Sequence, residues 1–202
     1  MKIFFTSDTH FYHQNIIKYC KRPFKYADEM NEVMIKNWNN TITDDDEVYH
    51  LGDFALCSPT GAENIVRRLK GKKYLIRGNH DHKNVLKVLA KYFIWIKDVH
   101  MLTITDINPF APTKHMSIYP TKNQMLWISH YPHLTWPQLH YGTFHLHGHC
   151  HGTLKDDPGV LRLDIGVDCF DFKPVSYEQI KELMLKKTWH PKSVDFQKGE
   201  NL

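Results

Sequence analysis

A chain of 202 residues has room for one domain, or for two very small ones. With 42% hydrophobic and 24% charged residues it is not a disordered chain, and no apolar run approaches the roughly 20 residues of a membrane span. A net charge of +4 points to no particular partner, but 15 histidines, about three times the usual share, direct attention to metal binding or acid–base chemistry.

In chain order, the apolar runs predict strands over Lys2–Asp8, Glu47–Asp53, Lys73–Gly78, His100–Thr105, Met125–His130, Thr143–His149 and Val160–Val167. Several lack polar alternation, as strands covered on both faces do. Helical spacing fills the gaps. Met30, Val33, Met34 and Trp38 follow Asp28; Ala62, Ile65, Val66 and Leu69 follow Ser58-Pro59; Val85, Leu86, Leu89 and Phe93 form a third stripe. Ser176-x-x-Gln179 reads as a capping box before Ile180, Leu183 and Met184. Asp106–Asn123, with three prolines, reads as a long loop or distorted hairpin. The pattern is α/β with a mixed sheet: one domain over residues 1–189 and a polar tail over 190–202.

Cys20, Cys57, Cys150 and Cys169 form no CxxC pair and suit a reducing compartment. The N-terminal apolar stretch is too short for a signal peptide. A cytoplasmic protein is expected.

Polar residues gather where strands end: Asp8-Thr9-His10, Gly52-Asp53, Gly78-Asn79-His80-Asp81, Ser129-His130 and Gly148-His149-Cys150-His151. In open α/β sheets such strand ends converge on one crevice. Imidazoles, carboxylates and one amide oxygen make a thiolate-free donor set suited to divalent manganese, iron, zinc or nickel. About seven donors over-supply one tetrahedral ion, whereas two ions sharing a carboxylate use them all. A pair of cations roughly 3.5–4 Å apart is the usual clamp for displacement at phosphorus. Two divalent ions against Asp8 and Asp53 leave a formal +2, which suits hydroxide and a phosphate ester.

D-x-H, G-D, G-N-H-D, a lone His and G-H-x-H, in that order, resemble the signature of the calcineurin-like metallophosphoesterases, small stand-alone bacterial or phage-type members above all. The resemblance runs from Lys2 to about Leu185. It implies a four-layer α-β-β-α sandwich of two mixed sheets flanked by helices. It also assigns Asp8, His10 and His151 to one metal, and Asn79, His130 and His149 to the other, with Asp53 bridging. His80 and Asp81 become the candidate catalytic residues, His80 beside the leaving oxygen and Asp81 more as an orienter of its neighbours. Two specialised branches are disfavoured: Phe-Ala-Leu-Cys follows Asp53 without the downstream D-R-G of the protein Ser/Thr phosphatases, and Leu56 stands where purple acid phosphatases carry a ligand tyrosine.

Tyr12, His13, Lys21 and Arg22 follow the first motif and are candidates for holding substrate, with a solvated loop charge as the alternative for Arg22. His50, His133, His140, His145 and His147 read as structural or supporting, and the basic run from Arg67 to Lys73 as a solvent face. The expected function is hydrolysis of phosphoesters by a hydroxide held between two divalent cations, with manganese favoured over iron, zinc, nickel or magnesium. A phosphodiester is the favoured substrate, nucleotide-derived or cyclic, or a nucleic-acid end. A phosphomonoesterase or nuclease is the enzymatic alternative, and a metal-retaining scaffold the non-enzymatic one. No membrane partner is expected, and the sequence leaves the oligomeric state open.

Overall fold

The computed structural model describes residues 1–110 and 123–190. Two mixed β-sheets pack face to face with helices against them, as the resemblance implies. In the first sheet β1 (Ile3–Thr6), β2 (Glu47–His50), β3 (Lys72–Ile76) and β4 (Phe93–Lys97) run parallel. β9 (Val175–Ser176) pairs antiparallel with β1 at the other edge. The second sheet holds β5 (Val99–Thr105), β6 (Asn123–Ser129), β7 (Phe144–His147) and β8 (Arg162–Asp164), of which only β5 and β6 pair antiparallel.

Period-2 alternation gives the first sheet two apolar faces. Phe4, Val48 and Leu75 point to the helices, whereas Phe5, Tyr49 and Ile76 meet Leu126, Ile128, Phe144 and Leu146 of the second sheet. Helices α1 (Gln14–Tyr19), α2 (Ala27–Thr41), α3 (Pro59–Val66) and α4 (Lys83–Leu89) bury their stripes in the first of these clusters. α5 (Tyr177–Leu185) packs Ile180 and Met184 into the second. Trp38 anchors α2: it is 1% exposed and its indole N–H reaches Lys70 O at 3.0 Å, so truncation to alanine should cost about 3–5 kcal/mol. The helix starts follow the sequence signals. Ser58 Oγ accepts from Gly61 N–H, and Ser176 and Gln179 cap each other reciprocally.

Phe93 departs from its expected place. α4 stops at Leu89 and Phe93 opens β4, paired with Lys73, while its ring stays in the same core cluster as Leu89. Strand pairing overrides a spacing that suited either element. α1 and β9, of six and two residues, are too short for periodicity to reveal. Of the expected long loop, 111–122 lie outside the described residues, but Asp106 is held by Tyr177 Oη and Lys181 Nζ. The expected tail falls outside them too, apart from His190. Arg67, Arg68, Lys70 and Lys72 of the basic run face solvent, with Arg68 forked onto Glu32, while Lys73 is half-buried and donates to Leu69 O and Gly71 O. Among the described residues no helix is long and apolar enough to cross a membrane.

Candidate metal centre

The loops after β1 and β2 are zipped together by Asp8 N–H to Gly52 O and His10 N–H to Asp53 O, at 2.9 and 3.0 Å. This places Asp8, His10 and Asp53 side by side at the carboxyl end of the first sheet. The loops after β3, β6 and β7 close over them. His149 N–H lies 3.0 and 2.9 Å from the two Asp8 oxygens, and His80 N–H donates to Asp53 Oδ1 at 2.8 Å. Close approach demands glycine here: a Cβ on Gly78 would strike Asp53, and one on Gly148 would strike Ser7 and Asp8.

All seven expected donors meet at this point. Asp8, His10 and His151 offer atoms within 4.8 Å of one another, as do Asp53, His130 and His149. Asn79 Oδ1 lies 2.9 Å from His130 Nε2 and 3.0 Å from His149 Nδ1. Asp53 Oδ2 stands between the two groups, 3.4 Å from His10 Nε2 and 3.5 Å from His130 Nε2.

The donor chemistry fits cations. His10 Nε2 is buried with no hydrogen-bond partner. His130 gives its Nδ1 proton to Leu51 O at 2.9 Å, which turns a bare Nε2 lone pair toward the oxygens of Asn79 and Asp53. His151 likewise gives Nδ1 to Asp168 Oδ2 at 2.7 Å. Acceptors facing acceptors across a space buried on the His10, Asp53 and His130 side and open at Asn79 and His149 call for positive charge. The titration pattern agrees: burial pushes Asp8 up to about 8 despite the nearby His151, and burial also raises Asp53. Burial holds His10 neutral, reinforced by His151 and Arg22, and takes His130 down to about 4. His151 differs: burial opposes the charge, but the Asp168 hydrogen bond prevails and lifts it to about 10, so a cation at this nitrogen must displace a proton.

Backbone strain collects at the same place. Asp8, His10, Asp53, His149 and His151 all have φ between 48° and 69°. This left-handed region is costly for most side chains and least so for Asn, Asp and His. The donor residue types are thus also those the backbone tolerates best.

The other candidates divide. His80 is half-buried at the rim, its ring centroid 5.3 Å from His10. His13 stands beside both, 5.1 Å from His10 and 6.0 Å from His80. Asp81 is buried and accepts from Gly78, Asp53 and Phe54 N–H at 2.7, 2.9 and 2.9 Å, so it ties two loops together and does not face substrate. Tyr12 leans into the helical core cluster. Arg22 is neither a substrate clamp nor a solvated charge. It is 4% exposed, and its guanidinium is spent on Asp168 (2.8 and 2.7 Å), Asp8 O (2.7 Å), Thr9 O (3.1 Å) and Met30 Sδ (3.4 Å). His50 braces the first loop through Thr9 Oγ1 (2.9 Å), while accepting from Gly52 N–H (3.2 Å). Sequence reading missed Asp168, a lone aspartate in a 3₁₀ turn (Val167–Cys169) that no motif marks.

The family model for calcineurin-like phosphoesterases matches residues 1–167. The chain belongs to this family. This calcineurin-like phosphoesterase is 34% identical over 192 residues to an uncharacterized protein of Methanocaldococcus jannaschii, with 92% of each chain covered. It is 25% identical to the gene 66 protein of Mycobacterium phage L5, over 89% of this chain and 92% of that one. A solved structure of a protein of unknown function from Aquifex aeolicus superposes with a TM-score of 0.64 and 28% identity, covering 90% of this chain and 98% of that one. Family membership makes the chain a metal-dependent phosphoesterase, with candidate metal-ligand clusters where its motifs end.

Proposed function

We propose that the chain is a dinuclear metal-dependent phosphodiesterase. Asp8, His10 and His151 hold one divalent cation, Asn79, His130 and His149 the other, and Asp53 both. The observation that carries this is Asp53 Oδ2 standing 3.4 and 3.5 Å from one imidazole of each group. Manganese is the favoured metal for this nitrogen and oxygen set. Bound there, divalent cations supply a water of lowered pKa and offset charge on the phosphoryl oxygens.

The protein's own groups do the rest. Leu51 O and Asp168 fix the orientation of two imidazoles, His130 and His151, with their Nε2 atoms inward. Asp81 sets the loop that carries Asn79 and His80. The His80 imidazole reaches the phosphoryl group from the rim and steadies the leaving oxygen, with His13 as its neighbour. A cavity of about 340 Å³ lined by Arg77, Asn79, His130, Tyr131 and His133 continues from the centre. Arg77 is paired there with Asp98 at 2.6 Å, and the space beside the Tyr131 ring gives a second ester arm a place, which favours diesters, nucleotide-derived ones among them, over monoesters. The unpaired cysteines suit a reducing, cytoplasmic setting.

The test is hydrolysis of an aryl phosphodiester and the matching monoester with manganese, with and without chelator. Chelator-sensitive turnover favouring the diester is expected. Preference for the monoester would overturn the substrate class, and no turnover with metal demonstrably bound would overturn the enzyme reading.

A further inference from the structure

We propose a third cation site on the outer face of the second sheet, built from His147, Cys150 and Asp164 and suited to zinc. His147 and Asp164 are register partners at the ends of β7 and β8, so their side chains leave the same face. Cys150 comes from the loop between His149 and His151. The three donor atoms lie within 4.8 Å of one another, and among the described residues no hydrogen bond joins any two of the three.

Two of the three donors are fixed by hydrogen bonds. His147 is 1% exposed and gives its Nδ1 proton to Gly148 O at 2.8 Å, leaving Nε2 as a bare lone pair. Asp164 is fixed by both oxygens, Oδ1 accepting from Gly166 N–H and Oδ2 from Gly152 N–H, each at 2.9 Å. Donors around a tetrahedral zinc stand roughly 3.3–3.8 Å apart, inside the 4.8 Å that bounds these three. The fourth position opens on a cavity of about 350 Å³ that His147 and Asp164 line together with Cys169. A thiolate, an imidazole and a carboxylate make a softer set than the thiolate-free dinuclear centre, and they select zinc where that centre suits manganese. Such an ion would staple β7, β8 and the loop bearing His149 and His151. The site stands independently of the dinuclear proposal.

Cobalt(II) separates the two, because only thiolate ligation gives a near-ultraviolet sulfur-to-cobalt charge-transfer band. Metal-free full-length protein titrated with cobalt should develop that band. Asp53→Ala, which disables the other centre, should keep it, and so should Cys20→Ser, the control for the thiol near His151 and Asp168. Cys150→Ser and Cys150→Ala, checked for folding by circular dichroism, should lose it. No such band in protein that binds cobalt overturns the site. So does a band that survives in folded Cys150 variants.

Discussion

The Asp168 carboxylate accepts a 2.7 Å hydrogen bond from His151 Nδ1, and the Arg22 guanidinium grips the same carboxylate from behind. An imidazole so held presents Nε2 in one orientation and is a better donor for it. Asp168→Asn should therefore weaken metal binding by about 10–100-fold, and it should also lower stability, because it leaves the buried Arg22 charge without its carboxylate. Calorimetric metal titration checks this, and unaltered affinity would remove Asp168 from the centre.

Arg22 is predicted to matter for stability and not for substrate affinity. Its pair with Asp168 is buried, with side chains 0% and 9% exposed. Arg22→Ala leaves the buried carboxylate with His151 in place of two partners and strips the Asp8 and Thr9 carbonyls of their donor, and should cost up to about 3–5 kcal/mol in urea unfolding. A raised KM with unchanged unfolding midpoint would return Arg22 to the substrate pocket.

Asp53→Ala should abolish binding of both cations, since one oxygen serves both donor groups. Stoichiometry by mass spectrometry or metal analysis decides it: one ion retained at full affinity would mean that the carboxylate is not shared.

His80→Ala should keep both cations and lower kcat by about 10²–10⁴-fold, most steeply for esters with poor leaving groups. A series of aryl esters of graded leaving-group pKa reads this out. An equal loss across the series would assign His80 to positioning and not to proton transfer.

Acid should destabilise the fold through His145. Its Nδ1 donates to Trp127 O at 3.1 Å while Nε2 accepts from His133 N–H at 2.9 Å, so a second proton would face a donor. Burial takes this imidazole down to about 3, against 6.5 when unfolded. The unfolded chain binds the proton first, so this contribution is whole above pH 6.5 and falls, by about 1.4 kcal/mol per pH unit, as pH drops toward 3. Urea unfolding of metal-free protein should show a shallower pH dependence in His145→Gln, whose amide can serve both partners. Equal slopes would contradict the assignment.

The donor set was legible because each member sits in a short motif at a strand end, where topology alone brings loops together. Gly78-Asn79-His80-Asp81 carried most of that information, with glycine marking the close approach and Asn79 the amide donor. Arg22 and Asp168 were not legible, because their bond spans 146 positions and neither belongs to a local pattern. β4 was hidden for a related reason: Phe93 satisfies helical spacing, and only its pairing with Lys73 makes it a strand. Strand alternation does not carry from His145 and His147 on to His149, because β7 ends at His147 and His149 lies beyond it at φ 69°.

The left-handed backbone at five donors has a thermodynamic corollary. Each such residue, being Asp or His, sits at the low end of the roughly 1–3 kcal/mol that this backbone costs, a burden the ordinary packing of the sandwich must carry before any ion arrives. Replacing one of them by glycine removes that burden along with the donor. Such a variant would then melt at a higher temperature than the parent stripped of metal, yet respond less to added manganese. Rigidity at this centre and robustness of the whole molecule would thus pull in opposite directions.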